Sequence, residues 1–302
     1  MEKVHHPLVS IITLNCNQTN ITCQLLESLR FLTYKHFEVL VCDMGSTVDP
    51  TRQIESGNYP NTKVLRSERN LGFTGGNNLG MLHAKGDYVF ILNNDTEVTP
   101  CLLEKLLEVF RKNLSVGIVC PKILSYSHPD IIQYAGFTPI NFFTGRSKAI
   151  GYGEEDRGQY DQAGFTAFAH GVAMLVSREV IDNVGMFLEK FFMFYEEMDW
   201  SARINKAGYK IYFEPSARIY HKESISRSKQ SALIVYYHTR NRILYMKRNT
   251  NLFQFISFLL YFTLVFTPGT IFKFVLSRQY EHLKFFLKGA VWNLSPSKYR
   301  TI

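Results

Sequence analysis

Three short apolar runs that each end in polar residues constrain this chain more than any other feature. They are LVSIITLN (8–15), HFEVLVCDMGST (36–47) and DYVFILNND (87–95). Each is rich in β-branched residues and too short for a core helix, as expected of strands buried in a sheet. Between them, TNITCQLLESLRFL (19–32) and MLHAKG (81–86) place apolar residues at helical spacing, and TKVLRSERN (62–70) reads as a third, shorter strand. PCLLEKLLEVFRKN (100–113) follows as an amphipathic helix. Strands alternating with helices predict an α/β fold with βαβ crossovers. Ligands of such sheets bind beyond the carboxyl ends of the strands, and Asp43 and Asp95 both fall at strand ends.

Further along, GVAMLVSREVIDNVGMF (171–187) reads as strand then helix. FFMFYEEMDW (191–200) follows, its aromatic run expected to be a core strand. A short helix then stops at Gly208, a left-handed cap. IYFEPSARIYHKES (211–224) reads as a strand pair or extended hairpin ending near His221. At 302 residues and 46% hydrophobic, the chain has enough apolar material for one large domain, or one domain with an appendage. The five cysteines include no CxxC pair, which argues against a disulfide framework or zinc site and for a reducing, cytoplasmic setting. No signal peptide is read at the N-terminus.

The net charge of +8 is uneven: residues 222–302 hold 13 Lys and Arg against 2 Asp and Glu, and the rest is slightly acidic. Within that basic stretch, residues 252–276 are apolar and aromatic, with Lys273 as the single charge. A spanning helix needs roughly 20 apolar residues, and Pro268-Gly269 is expected to interrupt this one. Basic flanks on such a segment suit an anionic membrane surface better than nucleic acid, and nothing resembles a nucleic-acid motif. The bland alternative is a helical extension packed on the core.

Five constellations carry potential chemistry. In FILNNDTEV, a strand delivers Asn94 and Asp95 into a loop; one or two carboxylates with substrate phosphates suffice for Mg²⁺ or Mn²⁺, and an Asx turn explains the Asp equally well. RNLGFTGGNNLG (69–80) is expected to be a tight loop approached closely by something. It is neither a Walker loop nor a dinucleotide fingerprint, and a plain connection is its alternative. Asp43 suits a base or ribose contact, or a turn. Asp199 has Arg203 four residues on, whereas Glu196 and Glu197 lack a local partner. A carboxylate beside aromatics can work as a general base, or the helix dipole can simply favour acids there. His221 gains meaning only beside a metal.

Taken in order, the motifs VSIITLNCN, VLVCDMGST, NLGFTGGNNLG, FILNNDTEV, HGVAMLVSREVIDNVGMFLEKFFMFYEEMDW, RIYHKES and YYHTRNR resemble the inverting family 2 glycosyltransferases of the GT-A fold, in their rhamnosyltransferase-like branch. The match covers about residues 8–245. It implies a Rossmann-like mixed sheet flanked by helices (1–225); the basic, apolar stretch beyond (226–302) reads, from its own composition, as a helical extension that associates with membrane. By the same resemblance, Asp43 contacts the nucleotide base, and Asn15, Asn70, Gly72, Gly76, Asn77 and Asn94 line the donor site. Asp95, the kept acid of an Asp-x-Asp motif, holds Mg²⁺ or Mn²⁺ with His221. Glu197 is the general base, a Glu where the family carries Asp. Glu196, Asp199, Trp200 and Arg203 support the acceptor side or the local structure. Met44 and Cys16 stand where Asn and Tyr are usual.

The implied reaction is a single displacement from a nucleotide-sugar donor, dTDP-rhamnose or UDP-hexose, to a glycan or polyprenyl-linked acceptor at the inner face of the cell membrane. Two other classes remain: a different nucleotide-using α/β enzyme, and a catalytically inactive sugar-nucleotide-binding membrane scaffold. Residues 134–165, rich in Gly, Phe and Tyr, read as a sugar-stacking lid or a surface loop.

Overall fold

A computed structural model describes residues 6–222 and 232–294. The first part runs β1 (Val9–Asn15), α1 (Thr19–Leu29), β2 (Phe37–Met44), α2 (Thr51–Ser56), β3 (Thr62–Ser67), α3 (Gly72–His83), β4 (Tyr88–Leu92), β5 (Thr96–Val98) and α4 (Leu102–Lys112). It continues through β6 (Val116–Ser125), β7 (Ile132–Tyr134), β8 (Gly164–Phe165), β9 (Ala173–Ser177), α5 (Arg178–Val184), α6 (Glu196–Lys206) and β10 (Lys210–His221). Four more helices follow: α7 (Ala232–Asn249), α8 (Leu252–Tyr261), α9 (Thr267–Leu276) and α10 (Tyr280–Trp292).

The sheet order is β3-β2-β1-β4-β9-β6-β10-β5, with β7 beside β6 and β8 beside β10. β1, β2, β3 and β4 pair in parallel, as do β6 and β10, while β9 runs antiparallel between β4 and β6. The sheet is therefore mixed. Its central strands are apolar almost throughout because both faces are covered. The Leu102, Leu103, Leu106, Leu107 and Phe110 stripe of α4 supplies one such cover.

Four local expectations change. The Gly/Asn segment is helix from Gly72 onward, not a loop. The close approach expected of it is to the sheet: a Cβ on Gly76 would stand 2.7 Å from Met44 Sδ, and one on Gly80 2.5 Å from Ile12 Cγ2. Glycine lowers helix propensity, and here helix–strand packing requires it. The aromatic run 191–195 is no strand; it leaves a short 3₁₀ turn, Glu189–Phe191, and Phe192, Phe194 and Tyr195 have positive φ. Residues 210–221 form one long strand whose pairing with β6 shifts register between Glu214 and Arg218, rather than a hairpin. Pro268 does not end the apolar helix, because a π-helical stretch, Phe262–Phe266, precedes it and accommodates the missing N–H.

The helices α7 to α10 build a second core around Met246, Phe258, Phe262 and Phe286, and this core includes Phe168 and Phe191 of the first part. The expected boundary between 225 and 226 lies outside the described residues.

Candidate active site

Three clusters of polar side chains stand out, two of them at the carboxyl ends of β1, β2, β4 and β10 and the third at the start of α6. The first joins β1 and β2. Asn15 Nδ2 donates to Asp43 Oδ1 (2.8 Å) and to Ser46 Oγ (3.2 Å). Thr22 Oγ1 donates to Asn15 Oδ1 (2.9 Å), and Asn94 Nδ2 donates to Thr22 Oγ1 (3.0 Å). Asp43 is fully buried: Oδ1 also accepts from Ser46 Oγ, Oδ2 accepts from the Ser46 N–H, and Arg66 lies 3.6 Å away. Its carboxylate is thus engaged inside the loop, and the surface it shapes belongs to its neighbours. Ser46, Thr22 and Arg66 were not singled out in the sequence, since a hydroxyl or a surface arginine carries no pattern alone.

The glycine-rich motif divides. The Gly72 N–H bonds to Asn70 Oδ1 (2.8 Å), an Asx turn that leads into α3. Gly76 faces β1 and β2. Asn77 is buried, its Nδ2 donating to Phe73 O, its Oδ1 without a donor. Gly76 and Asn77 sit within the helix, not on a loop open to a ligand.

The second cluster is Asp95 with His221. β5 and β10 pair antiparallel, with His221 opposite Thr96. This register sets His221 Nε2 3.3 Å from Asp95 Oδ1. That oxygen is buried and accepts no hydrogen bond. Among the described residues no group of three or more His, Cys, Asp or Glu could hold a metal ion. Two protein ligands with substrate phosphate oxygens nevertheless meet the needs of Mg²⁺ or Mn²⁺. An orphaned carboxylate oxygen facing an imidazole nitrogen fits such an ion.

The third cluster opens α6. Phe192, Phe194 and Tyr195 all have φ between +64° and +68°, a region that costs non-glycine residues about 1–3 kcal/mol each. The surroundings hold the turn. Asn241 Nδ2, on α7, donates to the carbonyls of Phe191 (2.9 Å), Met193 (2.7 Å) and Phe194 (2.8 Å). Arg240 donates to those of Lys190 and Phe191. Phe192 stacks on Tyr237, and Phe194 on His238. The family resemblance took in this YYHTRNR stretch; its task is visible only in three dimensions.

The turn delivers Glu196 and Glu197 to the first turn of α6. Each has one carboxyl oxygen that is buried and without a hydrogen-bond partner. Burial, then the neighbouring Glu197 charge, pushes Glu196 well above the usual carboxylate range. Burial pushes Glu197 up to about 7, against backbone N–H groups at the helix start that favour its charged form. Asp199 is different: fully buried, it pairs with Arg203 Nε (3.1 Å), Arg248 Nε (3.0 Å) and Asn249 Nδ2 (2.9 Å). Arg203 also holds the carbonyls of Val184 and Met186, and the buried Trp200 donates to Gly185 O. Asp199, Trp200 and Arg203 anchor α6.

The sequence profile described as "Glycosyl transferase family 2" matches residues 10–185. An uncharacterized protein, y4gI, of Sinorhizobium fredii is 28% identical over 80% of this chain, which spans 27% of that protein's length. The N-acetylglucosaminyl-diphospho-decaprenol L-rhamnosyltransferase of Mycobacterium tuberculosis is 25% identical over 74% of this chain and 78% of its own. In fold, a mannosyltransferase from Pyrobaculum calidifontis, solved with GDP-Man and Mn²⁺, superposes with a TM-score of 0.60 at 14% identity, over 98% of this chain and 89% of that one.

Proposed function

The chain belongs to glycosyl transferase family 2 and has the GT-A architecture, and from that premise we propose that it transfers a rhamnosyl or hexosyl group, with inversion, from a nucleotide-diphosphate donor to a lipid-linked glycan acceptor. The observation that carries this reading is Glu197: a carboxylate poised near neutrality by burial, one oxygen unpartnered, at the start of a helix held by a strained turn.

In the proposed reaction, Glu197 accepts the proton of an acceptor hydroxyl as its oxygen attacks the anomeric carbon. The new C–O bond forms on the face opposite the nucleotide, and the bond to the diphosphate oxygen breaks with its electron pair leaving on the diphosphate. Asp95 and His221 would hold a divalent cation, which would supply charge neutralisation at the leaving diphosphate. Asn15, Asp43, Ser46 and Asn70 shape the donor side; Glu196 flanks the base.

The acceptor class draws support from the mycobacterial relative, whose name specifies a diphospho-decaprenol acceptor, and from the helical extension. Phe253, Ile256, Leu260, Leu264 and Phe272 are exposed along α8, the π-helical stretch and α9, while Phe258, Phe262 and Phe274 pack inward. The helix Leu252–Leu276 is long and apolar enough to cross a membrane, and only 11% of its apolar window is buried against the protein, so its outer face supports contact with lipid. The basic charge around that helix supports a place at an anionic, cytoplasmic leaflet.

The test is a nucleotide-sugar screen. The correct donor raises the melting temperature of the full chain when Mn²⁺ is present, and the same donor labels a lipid extract in a manner abolished by EDTA. A donor that stabilises the chain without any transfer would remove the enzymatic reading.

A further inference from the structure

Gln133 occupies an unusual place. β7 pairs with β6 so that Ile132 faces Leu124 and Tyr134 faces Ile123, which leaves Gln133 as an extra residue with no partner of its own across the ladder. Such a bulge re-aims a side chain. Here the nearly buried Gln133 meets His221, two strands away through β6, by two hydrogen bonds. Its Nε2 donates to the His221 carbonyl oxygen (3.2 Å), and its Oε1 lies 2.7 Å from His221 Nδ1.

These two contacts determine the chemistry of the ring. A carbonyl oxygen only accepts, so the amide group facing it is the NH₂, and the group facing Nδ1 is the amide oxygen. That oxygen also only accepts, so Nδ1 carries the proton. In the Nδ1–H tautomer the lone pair is on Nε2, which lies 3.3 Å from Asp95 Oδ1, an oxygen without a hydrogen-bond donor. Two acceptors then face each other, and either a proton or a metal cation between them satisfies both.

We propose that Gln133 is a positioning residue for the divalent-cation site, holding His221 in the Nδ1–H tautomer with Nε2 free to ligate; this rests on the reading of Asp95 and His221 as the metal ligands. A partner on the far nitrogen of a ligating histidine fixes the ring's orientation and raises its basicity, and losing it costs roughly 10–100-fold in metal affinity.

Two measurements on the full chain test this. In ¹⁵N-histidine NMR, with the His221 signal assigned by its loss in His221→Ala, the wild type shows the Nδ1–H tautomer. Gln133→Leu loses it, and Gln133→Glu, whose carboxylate still accepts from Nδ1–H, keeps it. In Mn²⁺ titrations followed by the free-ion EPR signal, Gln133→Leu weakens binding roughly 10–100-fold, whereas Gln133→Glu stays within a few-fold of wild type. An Nε2–H tautomer in the wild type overturns the proposal without any variant having to fold. So does wild-type Mn²⁺ affinity in Gln133→Leu while Asp95→Ala and His221→Ala lose it. If those two alanine variants also bind Mn²⁺ like wild type, the ligand assignment itself is wrong.

Discussion

Gly72 touches Phe192 so closely that a Cβ on the glycine would stand 2.5 Å from the Phe192 carbonyl oxygen. That oxygen also accepts from the Thr74 N–H at 3.1 Å. The start of the glycine-rich helix α3 is thus one jaw of the clamp on the strained turn before Glu196 and Glu197, and Asn241 on α7 is the other. The motif read as approaching a ligand thus also supports the turn before the residue proposed as the base.

Gly72→Ala tests this jaw. Its φ of +70° alone costs a side chain about 1–2 kcal/mol, and the collision with backbone adds to that. The expected result is a lower melting temperature together with a fall in kcat that exceeds any change in donor KM. A variant with normal kcat would show that the turn tolerates displacement.

Asn241→Ala tests the other jaw. One amide serves three carbonyls; without it the Phe191 carbonyl keeps Arg240, while those of Met193 and Phe194 lose this donor, and an orphaned buried acceptor costs about 1–3 kcal/mol. Stability should drop by about 3 kcal/mol in urea unfolding. Asn241→Asp should be no better, because a carboxylate offers those carbonyls no donor. Unchanged midpoints in both variants would mean that the turn is held by its own packing.

Glu197→Gln separates chemistry from binding. Loss of a general base lowers kcat by roughly 10²–10⁴-fold, and donor affinity should stay close to wild type. The pH dependence has a definite sign. A base must be ionised, so the wild-type rate should fall as pH drops below about 7. For stability the raised value works the other way. The folded state binds the extra proton, so ionisation penalises folding progressively as pH rises from the ordinary carboxylate range through about 7. Glu197→Gln should therefore gain in melting temperature over wild type at pH 8 and not at pH 4. An equal shift at both values would contradict the burial argument.

The exposed apolar side chains of the helical extension make a prediction about membranes. Leu260 and Leu264 are 56% and 69% exposed, so the double change to Glu should leave the melting temperature near wild type. It should sharply reduce co-flotation with vesicles containing anionic lipid. Retained flotation would place the contact elsewhere on the chain.

Sequence alone determined the parts governed by local pattern. Short β-branched runs ending in polar residues specify strands whose carboxyl ends gather on one edge, and spacing of four specifies the Asp199–Arg203 pair. The order of motifs carried the family. What only tertiary structure decided are relationships between distant segments: α7 reaching back to residues 190–194, β7 presenting Gln133 to His221, and α3 packing its glycines on β1 and β2. The aromatic run before Glu196 reads as a strand by composition and is bent into left-handed backbone, because hydrogen bonds from Asn241 and Arg240 offset a strain that local preference would never accept. Sequence pattern records the energy of neighbours along the chain; this site is held by groups separated from it by about fifty to ninety residues, and their contribution exists only once the chain has folded.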